Sequence, residues 1–394
     1  MALRQRLALM SKPATPAKPD TRAEALIASF EHAGYLRVTP ALLQPAEPFL
    51  DLSGENIRKR MFLTTDPQGR ELCLRPDLTI PVSRDYLASP MARQPQGFCY
   101  LGTIFRDRRE EPAEFLQAGI ESFARTDKAA ADADMVALGL KATAHYGVTA
   151  PDIRMGDVGL FSALVAGLDL APAWRRRLIK DFNRKSSLAH DLEQLNHSSA
   201  RAEYQGVLAA LANSDPKAAH ALVTDLLSIA GISAVGGRSV SEIADRFLEQ
   251  ATLGGETTLP QEKRKLIERF LAIAGDPHGA TAALHKFAKE TALKLDPAID
   301  LLTQRTSLLA ARGVDVTRIH FSTAFGRGLD YYTGMVFEIH DPEDHANGEL
   351  VAGGRYDGLL TRLGSPVPIP AVGFAVWIER LADCGQGAAC GGVP

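Results

Sequence analysis

Two spacings of apolar residues alternate along the chain and predict its secondary structure. Leu26, Ile27 and Phe30 recur on one helical face, and Gly34 follows as a residue that can end a helix. From residue 35 to residue 124 the apolar residues form short β-type runs that clusters of Pro and Gly interrupt. The chain is therefore predicted to begin with a helix and to continue as a sheet.

A helical spacing occupies the middle of the chain, over residues 129–313, which are rich in Ala and Leu. Within this segment, Trp174, Leu178 and Phe182 fall on one apolar stripe while basic residues occupy the other faces. We interpret the basic residues as a solvated helix face, with a site for RNA or an acidic partner as the alternative. β-type runs return after the segment, as in residues 335–340. A helical insertion is therefore predicted to interrupt one sheet domain.

Length supports two units rather than one. A chain of 394 residues is longer than an ordinary single core, so a main domain and a second helical unit are expected. The predicted fold class is α+β, with a core made by residues 20–128 and 314–384 and a mainly helical insertion made by residues 129–313. Residues 1–19 and 385–394 are predicted to be tails.

Composition and charge narrow the classes of function. An apolar content of 45% and a charged content of 23% are typical of a soluble globular protein, and no stretch is long enough to span a membrane. The formal net charge of -3 argues against binding nucleic acid through the overall field and leaves only a local basic patch for that role. None of the four cysteines has metal-ligand spacing with a histidine. We therefore expect a cytoplasmic protein that holds neither a metal nor another cofactor.

Three arginines lie where strand-like runs end, namely Arg75, Arg106 and Arg327. A planar guanidinium can clamp a carboxylate or a phosphate through two parallel bonds, although a single arginine more often makes a structural ion pair. Tyr331 and Tyr332 are adjacent, so in a strand they would point to opposite faces and at most one would line a given pocket. The arginines therefore suggest a site for an anionic group.

Four short segments, taken together and in this order, make the chain resemble the histidyl-tRNA synthetases, a family of class II aminoacyl-tRNA synthetases. The segments are residues 74–77, residues 105–106 with 114–121, residues 327–332 (RGLDYY) and residues 353–358 (GGRYDG). The last two resemble elements that are specific to the histidine enzymes. The resemblance implies an antiparallel class II sheet flanked by helices, and it covers about residues 20–125 and 318–381.

The resemblance also implies a pocket for histidine. In the family, the position of Asp77 serves the α-amino group, and Arg327 lies near the carboxylate. The positions of Gln117 and Glu121 serve the imidazole, together with a tyrosine. Carboxylates suit an amine and an imidazole N–H, and an arginine suits a carboxylate, so these residue types could hold a free histidine at both ends. The implied histidine-binding residues are Asp77, Thr79, Gln117, Glu121, Arg327, Tyr331, Tyr332 and Tyr356.

The parts that serve ATP and tRNA in that family are altered. A loop of only seven residues, 107–113, joins residues 105–106 to residues 114–121. The corresponding loop that covers ATP in the synthetases is longer. Trp377 stands where the third class II motif keeps a glycine near the adenine, so it would fill nucleotide space, unless it is only a core residue of a repacked sheet. Arg380 is retained, and only residues 381–394 follow it, so no anticodon-binding domain is expected. Arg106, Arg380 and Trp377 are therefore predicted to be vestiges of a nucleotide or anion site.

Matches and departures together favour the family of ATP phosphoribosyltransferase regulatory subunits, which are histidine-binding relatives of these synthetases. The resemblance implies a homodimer without catalysis of its own. It would assemble with the short catalytic subunit, be required for its activity, and let histidine inhibit the first step of histidine biosynthesis. The alternative is a truncated, synthetase-like enzyme that adenylates an amino acid. A sensor of uncharged tRNA is a third hypothesis, and it requires a basic face that only residues 175–185 could supply.

Overall fold

The computed structural model describes residues 21–108, 111–182, 216–229, 259–343 and 348–387. Parts of several predicted features lie outside the described residues. They are the N-terminal tail 1–19, residues 183–215 and 230–258 of the predicted helical insertion, which include residues 183–185 of the basic stretch, and residues 388–394 of the predicted C-terminal tail with Cys390.

Helices flank a large sheet. In chain order they are α1 (Thr21–His32), α2 (Glu47–Leu52), α3 (Gly54–Arg58), α4 (Thr79–Ala88), α5 (Lys128–His145), α6 (Val158–Gly167), α7 (Pro172–Phe182), α8 (Pro216–Ile229), α9 (Gln261–Leu271), α10 (Pro277–Thr291), α11 (Asp296–Ala311), α12 (Leu359–Arg362) and α13 (Ile378–Gly387). The predicted first helix is confirmed, and Gly34 follows its end with a φ of +94°. A 3₁₀ turn, Val316–Arg318, leads the chain back into the sheet.

The strands confirm the predicted α+β class. They are β1 (Leu36–Arg37), β2 (Leu43–Pro45), β3 (Leu63–Thr65), β4 (Glu71–Leu74), β5 (Gln96–Phe105), β6 (Glu114–Phe123), β7 (Asp152–Asp157), β8 (Ala274–Gly275), β9 (Ile319–Ser322), β10 (Met335–His340), β11 (Glu349–Arg355) and β12 (Ala371–Trp377). In the described chain, one nine-stranded sheet has the order β1-β5-β6-β12-β11-β10-β7-β9-β8, and a small sheet has the order β2-β4-β3. The pairs β1–β5 and β7–β9 are parallel, whereas the other pairs are antiparallel.

Alternation along the central strands separates a packed face from a polar face. Ile120 of β6 pairs with Phe374 of β12, and Phe374 meets Phe30 of α1 edge-on, with ring centroids 5.9 Å apart. Gln117 and Glu121 have the opposite parity along β6, so they project from the other face of the sheet. The core therefore lies between the sheet and α1, while β6 presents polar side chains on the far side, next to small residues of β12.

The predicted helical segment 129–313 is not separate from the sheet. Its strand β7 lies between β10 and β9, with Ile153 and Met155 buried, although the sequence indicated helix there. The interpretation of residues 152–157 as helical is therefore wrong. The strand was missed because its alternation of buried and exposed residues is too short to stand out against the Ala/Leu-rich helices around it. Helices α5 and α11 pack on each other, and α5 packs on β11 and β12. The division of the chain into domains stays a prediction.

The apolar stripe predicted on α7 is confirmed as core. Trp174, Leu178 and Phe182 are all buried, and Phe182 stacks on Phe161 of α6 with ring centroids 4.3 Å apart. The helix therefore uses its apolar face for packing. Within the described ranges, no helix is both long and apolar enough to cross a membrane.

A buried chain of ion pairs, here called the ion network, ties helices to the sheet. Arg305 of α11 is fully buried; its Nε lies 2.9 Å from Asp132 of α5, and its Nη1 lies 2.9 Å from Asp157. The other oxygen of Asp132 accepts a 2.8 Å bond from Nε of Arg355, whose Nη1 donates to Asp357. The network thus fixes Arg355, the last residue of β11, against α5 and α11.

Candidate functional site

A cavity of about 220 Å³ lies on the polar face of the sheet, between β6, β11 and β12 and the segment before β10. The structure brings all the predicted histidine-binding residues to its wall: Asp77, Thr79, Gln117, Glu121, Arg327, Tyr331, Tyr332 and Tyr356. Arg106 and Trp377 also line it, whereas Arg380 reaches it only by lying over Trp377, with 5.5 Å between the guanidinium carbon and the ring centroid. Residues that are far apart in the sequence therefore meet in one cavity.

The floor of the cavity is a carboxyl group that hydroxyl groups surround. Glu121 is buried, and one of its oxygens accepts from Thr79 at 2.7 Å and from Tyr100 at 3.2 Å. Its other oxygen accepts from the hydroxyl of Tyr356. A Cβ on Gly373 would lie 1.8 Å from this second oxygen, so only glycine leaves room for the carboxyl group.

Burial dominates the charge state of this carboxyl group. Removal from water raises the pKa of Glu121 to about 8, although the hydroxyls of Tyr356, Thr79 and Tyr100 act in the opposite direction. The raised pKa therefore favours the protonated form of Glu121 around neutral pH. A ligand that donates to it would shift the balance towards the charged form.

A second carboxyl group in the cavity is only half satisfied. Oδ1 of Asp77 accepts from the backbone N–H of Ile80 at 3.1 Å, in the first turn of α4. Oδ2 is buried and has no hydrogen-bond partner. Burial raises the pKa of Asp77, while that backbone bond and the nearby charge of Arg106 lower it. A buried acceptor without a donor is costly, so Asp77 is suited to receive a donor from a ligand.

The three arginines singled out in the sequence have different surroundings. Arg75 lines no part of the cavity, because its guanidinium bonds to the backbone carbonyls of Thr103 and Pro40. It is therefore a structural residue and not part of an anion site. Arg106 lines the cavity and uses its Nε to bond the backbone of Pro76 at 2.7 Å. Its two Nη groups have no acceptor among the described residues.

Arg327, in contrast, already has acidic partners. Its Nε lies 3.1 Å from Glu338, its Nη2 lies 3.5 Å from Glu349, and its Nη1 donates to the hydroxyl of Tyr332 at 3.0 Å. Burial by itself would lower the pKa of Arg327, but these neighbours raise it. The charge of Arg327 is thus largely neutralised by the protein itself.

Both tyrosines of the adjacent pair line the cavity, so the prediction that at most one does so is wrong. Tyr331 and Tyr332 lie in a turn rather than in a strand, with ring centroids 5.0 Å apart. The strict alternation of a strand therefore does not apply to them.

Arginine side chains cover two aromatic rings, those of Phe115 and Trp377. The guanidinium carbon of Arg108 lies 3.8 Å from the ring centroid of Phe115, and its Nη2 donates to the carbonyl of Pro112 at 2.7 Å. Trp377 is 5% exposed and ends β12, so it is a core residue that also closes one wall of the cavity. Trp377 therefore lines the cavity, whereas Arg108 and Phe115 do not.

Three charged residues of the cavity wall were not predicted from the sequence, namely Arg60, Glu338 and Glu349, nor was Tyr100, which bonds to Glu121 at the floor. Glu338 could have been found, because it lies two residues before His340 on β10 and both polar side chains share one face. Tyr100 and Glu349 carry no signal in the sequence, since their roles follow from contacts between strands. Within the described residues, no group of three or more His, Cys, Asp or Glu side chains could hold a metal ion.

Comparisons with known proteins agree on one family. A family model described as histidyl-tRNA synthetase matches residues 11–244 and 219–381. A Brucella canis protein named ATP phosphoribosyltransferase regulatory subunit is 40% identical over 343 residues, which are 86% of this chain and 90% of the relative. A Brucella suis protein of the same name matches to the same extent.

Solved structures confirm the class II synthetase-like fold. A Bacillus halodurans C protein, described as an ATP phosphoribosyltransferase regulatory subunit/histidyl-tRNA synthetase, superposes with a TM-score of 0.66 at 21% identity, covering 95% of this chain and 84% of that chain. A histidyl-tRNA synthetase from Nostoc sp. PCC 7120 superposes with a TM-score of 0.61 at 17% identity, covering 94% of this chain and 72% of that chain.

Proposed function

The chain belongs to the family of ATP phosphoribosyltransferase regulatory subunits, and on this premise we propose that it binds free histidine in the cavity. In the cytoplasm it assembles with a short phosphoribosyltransferase catalytic subunit, supports the activity of that subunit, and makes it sensitive to histidine. The observation that carries the proposal is the meeting of three groups in one cavity: the half-satisfied carboxyl group of Asp77, the guanidinium of Arg106, whose Nη groups have no acceptor among the described residues, and the hydroxyl-lined carboxyl group of Glu121.

The Glu121 end suits an imidazole ring. An imidazole N–H can donate to Glu121, and the side-chain amide of Gln117 can donate to or accept from the second ring nitrogen. Tyr331 and Tyr356 lie edge-on to each other, with centroids 5.7 Å apart, and offer aromatic walls for a flat ring. This end therefore selects a planar donor over an aliphatic side chain.

The opposite end suits the amino and carboxylate groups of an amino acid. Oδ2 of Asp77 lacks a donor, which an ammonium group supplies. The carboxylate was expected near Arg327, but Arg327 is held by Glu338 and Glu349. The Nη groups of Arg106 have no acceptor in the described part of the chain, so we assign the carboxylate to Arg106.

Two aromatic side chains near the end of β12 and the start of β6 support regulation without catalysis. The indole of Trp377 forms part of the cavity wall, and Arg108 covers the ring of Phe115, so neither ring offers a free face for stacking a base. Histidine can regulate the assembly only if it binds one state of the complex better than another. A difference of about 1–3 kcal/mol between the two states is typical of such coupling.

A second copy of the chain is the expected partner at the edge strands. Leu43 of β2 is 52% exposed and Leu63 of β3 is 45% exposed, and Leu36 of β1 is also exposed. These positions lie on edge strands of the two sheets, where unpaired backbone and apolar side chains favour association. They support a homodimer, the state that the resemblance to class II synthetases implied.

Calorimetric titration with histidine tests the ligand. Asp77→Asn removes the charge that receives the ammonium group and places an amide N–H₂ near it, so we expect histidine affinity to fall by about 2 kcal/mol, or roughly thirtyfold. The matched control is Asp85→Asn, the same change on the exposed side of α4. Equal affinities in the two variants would exclude Asp77 as the amine partner.

Reconstitution tests the regulatory role against the alternative of an adenylating enzyme. A short catalytic subunit mixed with this protein should gain phosphoribosyltransferase activity that histidine inhibits, and the Asp77→Asn variant should lose the inhibition. Histidine-dependent exchange of pyrophosphate into ATP should stay at background. Clear exchange would favour the adenylating enzyme over the regulatory subunit.

A further inference from the structure

Glu349, the first residue of β11, lies between two arginines at the cavity wall. One carboxylate oxygen is 3.5 Å from Nη2 of Arg327, and the other is 3.4 Å from Nη1 of Arg380. Nη1 of Arg380 also donates to the backbone carbonyl of Glu349 at 2.8 Å. A single acidic side chain therefore bridges two guanidinium groups.

The backbone before Glu349 is built to keep this bridge in place. Gly348 has a φ of +81°, and a Cβ at this residue would lie 2.7 Å from Nη1 of Arg380. A larger residue would be strained and would push the guanidinium away. Glu349 is then held by the pairing of β11 with β10, which fixes its position relative to the arginines.

We propose that Glu349 is a specificity determinant that keeps polyphosphate ligands off Arg327 and Arg380 and leaves Arg106 for the single carboxylate of an amino acid. The inference rests on the proposed function, because it takes this cavity as the ligand site. It adds which class of ligand the cavity rejects, and by which residue.

The physical basis is competition by an anion that belongs to the protein. Paired guanidinium groups are a common clamp for phosphate oxygens. Glu349 is attached to the same strand and needs no association step, so its effective concentration at the arginines is high. A phosphate that displaced it would leave a partly buried carboxylate without a cation, which is costly. Such a built-in clash with the wrong ligand is a direct route to specificity.

Titration with inorganic pyrophosphate tests the proposal in the full-length protein. Glu349→Gln keeps the shape of the side chain but removes the competing charge, so we expect pyrophosphate to bind at least about tenfold more tightly than to the unmodified protein. The matched control is Glu343→Gln, which removes the same charge from an exposed side chain. The control should bind pyrophosphate no better than the unmodified protein.

A conservative variant separates charge from shape. Glu349→Asp keeps the negative charge near the arginines, so it should still exclude pyrophosphate. Thermal unfolding of each variant establishes that the compared proteins are folded. The proposal is overturned if Glu349→Gln gains no affinity, if Glu349→Asp gains as much as Glu349→Gln, or if the unmodified protein already binds pyrophosphate as tightly.

Histidine titrations of the same proteins keep this proposal distinct from the proposed function. If the unmodified protein binds histidine but Glu349→Gln gains no pyrophosphate affinity, only the role of Glu349 fails. If Glu349→Gln gains pyrophosphate affinity but no protein binds histidine, the role of Glu349 stands and the proposed histidine site fails.

Discussion

Two buried groups of charged side chains lie in the same fold, and they differ in how completely their charges are paired. In the ion network, both oxygens of Asp132 are taken by arginine forks, from Arg305 and Arg355. In the cavity, among the residues that the structure describes, Oδ2 of Asp77 has no donor and the Nη groups of Arg106 have no acceptor. The first cluster pairs each of its arginines with carboxylates of the protein itself, whereas the second leaves an oxygen of Asp77 unpaired among the described residues.

This difference in charge pairing distinguishes a structural role of buried ionic side chains from a ligand-binding role. A buried charge that loses its partner is strongly destabilising, so a closed network holds the elements that it joins. A buried charge that lacks a partner in the free protein lowers its stability and is relieved by a ligand of matching charge. Satisfaction of charges, rather than burial alone, therefore supports the proposal that the cavity is the site of binding.

The largest effect is expected from opening the ion network. Arg305→Met keeps much of the side-chain volume but leaves Asp157 without its cation and Asp132 with only Arg355. We expect the free energy of unfolding to fall by about 3–5 kcal/mol, as for other broken buried pairs. Chemical denaturation measures the change.

An exposed ion pair provides the control for this loss. Arg264→Met breaks the pair with Glu268 one helical turn away on α9, both partly exposed, and should cost less than about 1 kcal/mol. The folded fraction of Arg305→Met should still bind histidine. Much weaker binding would show that the ion network and the cavity are not energetically independent. Equal losses of stability in the two variants would contradict the structural role of the network.

Much of the cavity could be predicted from the sequence because its residues lie in short motifs that each supply one chemical group. Asp77, Glu121 and Tyr356 come from different motifs, and all three meet in the cavity. The resemblance supplied this information, since nothing in the spacing alone brings the three segments together. The α+β class followed from the alternation of helical and β-type spacing.

The pairing of each charge could not be predicted, because it depends on contacts between distant elements. The sequence motif around Arg327 would be the same whether its guanidinium group were free or held by Glu338 and Glu349. Tyr100 reaches Glu121 only through the register of β5 against β6. Strand β7 was missed for a similar reason, since it is defined by its neighbours in the sheet.

A smaller effect is expected when the pH is changed in the absence of ligand. The pKa of Glu121 is raised from 4.5 to about 8, so between these values the folded protein binds a proton that the unfolded chain has released. Stability due to this group is present at low pH and is lost as pH rises towards 8. We expect a fall of about 2 kcal/mol between roughly pH 5.5 and pH 7.5, which Glu121→Gln removes.

An exposed glutamate gives the control for this slope. The hydrogen bond from Arg37 lowers the pKa of Glu24, so the charge of Glu24 is constant over the same interval. Glu24→Gln should therefore leave the slope unchanged. Denaturation at several pH values measures both variants. A slope that persists in Glu121→Gln would show that another group is responsible and would weaken the distinction between the two clusters.

The smallest effect tests whether single hydroxyl groups of the cavity act on the ligand or only on the fold. Tyr356→Phe removes one donor to Glu121, which makes its charged form less favourable, so histidine affinity should fall by about 1 kcal/mol, or roughly fivefold. Tyr86→Phe is the matched control, because its buried hydroxyl bonds the carbonyl of Gln94 away from the cavity. Both variants should lose similar stability in denaturation, but only Tyr356→Phe should lose affinity in calorimetry. A loss of affinity in both would mean that the cavity responds to general loosening of the fold rather than to its own hydrogen bonds.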